Sequence, residues 1–297
     1  MDVFACNTEK GIASAMEIFD AHVHFSQIAS FEDCAKRTSL VDYSGGGYIM
    51  ETEANTVTGS VCMGLSERTP AGFPDPDAKT PMLADMAELL PPGMSLCLGV
   101  NPFTLDERSL SEMEELISFA GCVVGIKIYA GYYHFSVTDP VYAPVYGLAQ
   151  RHDITVAIHT GDTYSGKGLL RYAHPLCLDE LAVERPEMRI VACHMGVPWV
   201  FDACEVCAKN PNVYIDLSGL FVGDAEYIGR LASNPLILDR YRQALCFLDD
   251  YDKVLFGSDW PLAPMGAYID FCKQLIPPEH HEKVFRRNAL SVYRIKN

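Results

Sequence analysis

The sequence predicts a (β/α)8 barrel, an α/β fold in which eight parallel strands alternate with helices, as one domain over residues 1–297. Eight short apolar runs recur along the chain, and most are followed by a helical pattern. The runs are almost continuously hydrophobic, as expected of parallel strands covered by helices. An open doubly wound sheet would instead place a glycine-rich phosphate turn after the first strand, and the sequence has none there.

The predicted elements follow one another in order. The strands lie at 17–25, 56–63, 95–100, 123–129, 155–159, 189–194, 213–217 and 254–259. Helical patterns lie at 80–91, 105–120, 140–152, 175–185, 199–209, 235–250 and 265–276. Residues 1–16 form a short lead-in, and residues 279–297 contain an amphipathic helix that closes the barrel.

Two long loops are predicted after the first two strands, at 26–55 and 66–80, with a glycine-rich turn at 45–47. In a barrel, the loops that follow the strands surround the active site. We therefore expect both loops to form lids or substrate walls.

The composition bounds the partners and the compartment. The formal net charge of −16 argues against nucleic acid and anionic membranes, although an anionic small molecule remains compatible with a local cation. The eleven cysteines fall in apparent helices and buried strands, and no signal peptide or membrane span is visible. These features predict a cytoplasmic protein. The lone C-x-x-C pair, Cys204 and Cys207, is expected to be part of a helix.

The first strand carries an H-x-H pattern. Because alternate side chains share a face in a strand, His22 and His24 should point the same way, with Asp20 behind them on that face. The alternate residues should point the other way and form an apolar back, namely Phe19, Ala21, Val23 and Phe25. Two imidazoles on one rigid face suit a metal site.

Four other strands end in polar residues. Lys127, His159, His194 and Asp259 each lie near the carboxyl end of a strand, where barrel enzymes gather catalytic groups. A small residue stands two positions before each of them, which predicts an inward orientation with space below the polar side chain. The small residues are Gly125, Ala157, Ala192 and Gly257. A single histidine in a strand is more often a core residue. Several polar residues at the carboxyl ends of different strands instead favour a functional site.

Together these motifs resemble the amidohydrolase superfamily, in its amidohydrolase-related (amidohydrolase 2) branch of metal-dependent barrel enzymes. The matching segments are D-A-H-V-H on the first strand, G-I-K-I on the fourth, A-I-H-T-G on the fifth, C-H-M-G on the sixth and F-G-S-D-W-P on the eighth. The resemblance covers about residues 17–293 and is specific for fold and metal site, but much less so for substrate.

The resemblance implies one divalent metal ion held by His22, His24, His159 and Asp259. Zinc fits three imidazoles and a carboxylate, and manganese is compatible. The resemblance further implies catalytic roles for His194, as a proton shuttle, and for Asp259, as a general base for a metal-activated water.

Two interpretations of the role of Lys127 are open. In relatives with two metals, a lysine at this position is carbamylated and bridges them. With one metal, which we favour, Lys127 is a cation for a substrate carboxylate. Burial disfavours an unpaired ammonium, so contact with an aspartate or with substrate is expected.

The substrate-binding residues predicted from loop position are Lys127, Tyr129, Tyr164 and Trp260. Asp216 and Ser218 on the seventh strand are expected to support the site. The leading hypothesis is hydrolysis of an amide, lactone or ester bond in a small organic molecule.

Two alternatives stay open. One is a metal-dependent, non-oxidative decarboxylase of a small unsaturated or aromatic acid on the same ligands. The other is a barrel that keeps its metal as a binding or structural subunit, although no ligand position is lost. The sequence does not give the oligomeric state, and a homodimer is offered as the commonest assembly of soluble proteins.

Overall fold

The computed structural model describes residues 16–67 and 72–296, and these form a closed parallel barrel. The strands are β1 Ile18–Val23, β2 Val57–Met63, β3 Met94–Val100, β4 Val123–Ile128, β5 Thr155–His159, β6 Ile190–Cys193, β7 Val213–Asp216 and β8 Val254–Leu255. They pair in chain order, each parallel to the next. The predicted fold class is therefore confirmed. The lead-in at 1–16 lies almost wholly outside the described residues.

The barrel closes between β8 and β1 through the segment that follows β8. Ala21 donates a backbone hydrogen bond to Phe256, and the amide of Asp259 donates to the carbonyl of His22, both at 2.9 Å. His24 and Trp260 continue the pairing. These bonds fix the predicted metal ligands of the first and eighth strands next to each other.

Ten α-helices lie in the described part of the chain. They are α1 Ala29–Cys34, α2 Gly45–Ala54, α3 Glu107–Phe119, α4 Ala143–Arg151, α5 Cys177–Glu184, α6 Val200–Lys209, α7 Ala225–Ala232, α8 Pro235–Leu248, α9 Met265–Leu275 and α10 Asn288–Val292. Six of the seven predicted helices correspond to α3–α6, α8 and α9. The predicted closing helix is present as a π-helical turn at Lys283–Arg287 followed by α10.

The prediction of a helix at 80–91 is wrong, because this segment contains no helix. Met82 exchanges two backbone hydrogen bonds with Gly99, at 2.8 and 2.9 Å. Leu83 and Met86 bond to the segments that follow β2 and β1. These tertiary bonds use the backbone groups that a helix would need.

The loop predicted at 26–55 contains two helices, and the glycine-rich turn at 45–47 is in fact the first turn of α2. Ser44 caps that helix by accepting the amide of Gly47 at 3.0 Å. A Cβ at Gly47 would lie 2.0 Å from the carbonyl oxygen of Asp42, so glycine is needed there for close approach. Helix α7, capped by Asp224, was not predicted at all.

The core has an outer shell between strands and helices and an inner cluster inside the barrel. The inner cluster contains Phe19, Ala21, Val61, Met63, Cys97, Ala157, Val191, Cys193, Leu255, Ala289, Val292 and Tyr293. Phe19 and Ala21 were predicted on the outer face. A register shift between Asp20 and Val23 breaks the alternation of β1 and turns them inward.

Cys204 and Cys207 lie buried in α6 as free thiols, as predicted. None of the helices within residues 16–67 and 72–296 combines the length and apolar character that a membrane crossing requires.

Candidate active site

A cavity of about 500 Å³ opens where the strands end. The ends of β4, β5 and β8 contribute polar side chains to it, and the segments after β1 and β2 contribute Phe31 and Phe73. The predicted role of the loops 26–55 and 66–80 as substrate walls agrees with this placement. Residues 68–71 lie outside the described residues.

Three predicted ligands converge at the base of the cavity. Asp259 Oδ1 lies 3.4 Å from His22 Nε2 and 3.2 Å from His24 Nε2. Ligands held about 2.1 Å from a tetrahedral metal ion lie about 3.4 Å apart, so these atoms are spaced as ligands are. His22 Nε2 and Asp259 Oδ1 are buried and make no hydrogen bond with the described residues. A cation would satisfy both atoms, and the residues therefore fit a divalent metal.

Asp216 orients the first of these histidines. Its Oδ2 lies 3.0 Å from His22 Nδ1, so His22 donates to the carboxylate and keeps the Nε2 lone pair for a metal. Its Oδ1 accepts the amides of His194 and Ser218 at 2.9 and 3.1 Å. The supporting role predicted for Asp216 and Ser218 agrees with these contacts.

Asp20 is not on the ligand face. Its Oδ1 accepts the backbone amides of His22 and Ser258, at 3.0 and 2.9 Å. Burial raises the pKa of its carboxyl to about 7. Asp20 therefore ties β1 to the segment after β8 and does not hold a metal.

His159 lies beside the cluster with one nitrogen already engaged. Its Nε2 is 2.9 Å from the carbonyl oxygen of Asp162, and its ring packs 4.8 Å from the rings of Tyr132 and His194. Nδ1 is therefore the nitrogen that remains for a metal. Its role as fourth ligand stays a prediction.

His194 reaches the cavity by a different route from the one predicted. Ala192 packs in the outer shell, while Cys193 packs in the inner cluster, so a regular strand would point His194 outward. A left-handed backbone conformation at His194, with φ of 65°, turns it to the cavity. Its Nδ1 lies 2.9 Å from Ser218 Oγ and 3.7 Å from Asp259 Oδ2.

The electrostatics of the cluster favour neutral imidazoles beside ionised carboxylates. Burial lowers the pKa values of His22, His24 and His159, and it lowers that of His194 to about 4. Burial alone would raise the pKa of Asp259, but charge interactions with His194 and His22 outweigh it, and the pKa of that carboxyl is lowered. Neutral imidazole nitrogens and a carboxylate are the forms that bind metal.

Lys127 is buried and lies on the cavity wall. Its Nζ is 3.0 Å from Cys193 Sγ and 5.5 Å from the ring centre of Tyr129. In the described parts of the chain no carboxylate lies within ion-pair distance of Nζ, so the expected aspartate partner is not found. Contact with a substrate anion stays a prediction.

Tyr129 and Tyr164 line the cavity, whereas Trp260 does not. Trp260 is fully buried behind β1, where its ring packs against Tyr48 and its indole donates to Glu51 at 3.2 Å. Its placement argues against the predicted substrate contact. Because Asp259 has a left-handed φ of 59°, the side chain of Trp260 points out of the barrel.

Gly219 is part of the site but was not among the residues predicted from the sequence. It has φ of 59°, and a Cβ there would lie 2.4 Å from Asp259 Oδ2 and 2.8 Å from His194 Nδ1. Only a residue without a side chain leaves both groups in place. The positive φ and this contact depend on the fold, so the local sequence carried no clear signal for them.

The Gly219→Ala variant should therefore lose turnover at least about 100-fold, because displacement of catalytic groups by about 1 Å costs that much. Gly121→Ala is the matched control, since Gly121 has φ of 69° and open space around it. Both variants pay the left-handed backbone cost of about 1–2 kcal/mol. Thermal unfolding and initial rates are measured on both variants. An equal loss of activity in the two variants would refute the role assigned to Gly219.

The family comparison agrees with this geometry. A family model described as amidohydrolase matches residues 19–295. The chain belongs to the amidohydrolase family. Members of this family include metal-dependent enzymes, both lactonases and decarboxylases.

The chain is also similar to several known proteins. An L-fucono-1,5-lactonase from Burkholderia ambifaria is 27% identical over 178 residues, a match that spans 54% of this chain and about half, 56%, of that protein. A 2,6-dihydroxybenzoate decarboxylase from Rhizobium has a TM-score of 0.65 at 15% identity, with 95% and 100% of the two chains covered. A manganese-bound 5-carboxyvanillate decarboxylase from Novosphingobium aromaticivorans has a TM-score of 0.60 at 12% identity, with 94% and 97% covered.

Proposed function

We propose that this amidohydrolase is a metal-dependent hydrolase of a small lactone or related ester or amide. The observation that carries the proposal is the convergence of His22 Nε2 and His24 Nε2 on the buried Asp259 Oδ1. The lactonase relative supports a lactone among these bond types.

The proposed cofactor is one divalent ion held by His22, His24, His159 and Asp259. Zinc suits three imidazoles and a carboxylate, and the manganese-bound neighbour keeps manganese as the second choice. We propose one metal rather than two, with Lys127 unmodified and its Nζ 3.0 Å from Cys193 Sγ. When bound, such an ion polarises a carbonyl and lowers the pKa of a water molecule.

The chain supplies the proton transfers. Asp259 Oδ1 faces the two histidines, whereas Oδ2 lies 3.7 Å from His194 and remains for a proton. We assign Asp259 as the base that takes a proton from the attacking water. His194, held by Ser218 and Asp216, relays it to the leaving ring oxygen.

The products test the reaction class. Purified protein with added Zn²⁺ or Mn²⁺ is incubated with L-fucono-1,5-lactone, with other lactones and, separately, with aromatic carboxylic acids. Acid release is followed in a pH-stat and carbon dioxide by headspace analysis. The proposal expects acid without carbon dioxide. Release of carbon dioxide from an aromatic acid, with no lactone opened, would contradict the hydrolase proposal and indicate a decarboxylase.

A decarboxylase is the second candidate, and one observation favours it. The cavity has aromatic walls, including Phe31, Phe73 and Tyr132, above the buried ammonium of Lys127. That combination suits an aromatic carboxylic acid.

Lys127→Met should raise the KM for a lactone that carries a carboxylate by about 10- to 150-fold, because a charge-assisted bond contributes about 1.5–3 kcal/mol. The KM for the same lactone as its methyl ester should change less than about threefold under the same account. Steady-state kinetics on the pair decide. An equal loss on both substrates would show that Lys127 does not bind the carboxylate.

The small-molecule substrate, the homodimer and the cytoplasmic location remain proposals. The ten cysteines within the described ranges are free thiols, which suits a reducing compartment.

A further inference from the structure

The cavity is polar at its base and apolar around its middle. The base carries His24, His159, His194, Asp259 and Lys127. Beyond them, apolar and aromatic side chains form a belt, which includes Phe31, Leu65, Phe73, Tyr129, Tyr132 and Leu262. The other polar lining residues are half-buried or exposed and belong to the rim, namely Ser30, Asp162, Tyr164 and Ser165. A substrate therefore meets polar partners at its reacting end and hydrocarbon along its body.

Hydroxyl groups of Tyr129, Tyr132 and Ser30 contact the protein itself. Tyr129 donates its phenol hydrogen to the carbonyl of Gly64 at 2.7 Å. The phenol oxygen of Tyr132 accepts the amide of Tyr164 at 2.9 Å. At the rim, the Ser30 hydroxyl donates to a carboxylate, Glu67 Oε1, at 3.3 Å.

We infer that the substrate body is an alkyl or aromatic group without hydroxyls, joined to a reacting lactone or ester carbonyl. The inference rests on the proposed function for the reacting group and on the belt for the body. Along the belt, the hydroxyls of a sugar lactone would lose water and meet mainly hydrocarbon, and each unpaired hydroxyl would weaken binding roughly 5- to 150-fold. Each methylene placed in the belt should instead improve it about fourfold.

The reaction is the same for both kinds of substrate. Water adds its oxygen to the acyl carbon, the acyl–oxygen bond of the ring breaks, and one proton of the water passes to the ring oxygen. The product is an open hydroxy acid, and discrimination lies in the ring substituents alone.

The test measures kcat/KM of the Zn²⁺-loaded full chain for δ-valerolactone, its 5-alkyl homologues, dihydrocoumarin and D-glucono-1,5-lactone. We expect kcat/KM to rise about fourfold per methylene until the belt is filled. Dihydrocoumarin should exceed the parent, and D-glucono-1,5-lactone should fall at least tenfold below it. A kcat/KM for D-glucono-1,5-lactone that is within tenfold of the parent's, or above it, would overturn the inference.

Failure of the proposed function gives a different result, namely no hydrolysis of any lactone. In that case calorimetry with the two ring-opened acids still decides the belt's role. Tighter binding of 3-(2-hydroxyphenyl)propanoate than of D-gluconate upholds the inference, and the reverse order or equal affinity overturns it.

A variant pair tests the belt directly. Phe73 packs 5.1 Å from the ring of Tyr129 in the belt, while Phe119 is 84% exposed at the end of α3. Phe73→Ala should lower kcat/KM for dihydrocoumarin about tenfold and that for D-glucono-1,5-lactone less than twofold, and Phe119→Ala should change neither. An equal loss on both lactones in Phe73→Ala would contradict the assignment.

Discussion

Asp259→Asn should lose at least about 1,000-fold in kcat/KM, because the substitution removes a metal ligand and the proposed base together. An amide oxygen is a weaker ligand and takes up no proton at neutral pH. The buried cluster would also lose the negative charge that faces His22 and His24. Steady-state kinetics and metal analysis by mass spectrometry measure the two effects separately.

Asp270→Asn is the matched control, since Asp270 is exposed on α9, away from the cavity. It should keep full activity and metal content. Unchanged turnover in Asp259→Asn would contradict both roles of Asp259. If Asp259→Asn keeps its full metal content but loses turnover, Asp259 acts as the base and is not needed as a metal ligand.

Removal of the metal should reduce hydrolysis to the background rate and destabilise the fold. The destabilisation follows from linkage, because an ion present at about 1,000 times its Kd stabilises the folded state by about 4 kcal/mol. Dialysis against a chelator, followed by titration with Zn²⁺ and Mn²⁺, should restore activity at one ion per chain. Full activity in chelated protein whose metal content is verified as zero would refute metal dependence.

The order of the strands and the polar residues at their ends could be predicted because both depend on local pattern. Continuous apolar runs identify buried parallel strands, and barrel geometry then gathers their carboxyl ends. His159 and Asp259 reach the cavity as that reasoning requires. His22 and His24, at the end of β1 and just after it, could likewise be assigned to one face.

The remaining details depend on tertiary contacts that no local pattern encodes. A register shift turned Phe19 and Ala21 into the barrel, and a left-handed turn at His194 replaced the expected inward alternation. Backbone pairing with Gly99 removed a helix that the pattern favoured. The thiol partner of Lys127 and the close approach at Gly219 exist only because separate strands meet.

Anomalous diffraction from a crystal grown with Zn²⁺ tests the central claim most directly. The account predicts a single peak about 2.0–2.2 Å from His22 Nε2, His24 Nε2 and Asp259 Oδ1, with His159 Nδ1 completing the set. A peak instead among His22 Nδ1, His194 and Asp216, the other group able to hold an ion in the described structure, would contradict the assigned site, as would no peak at all.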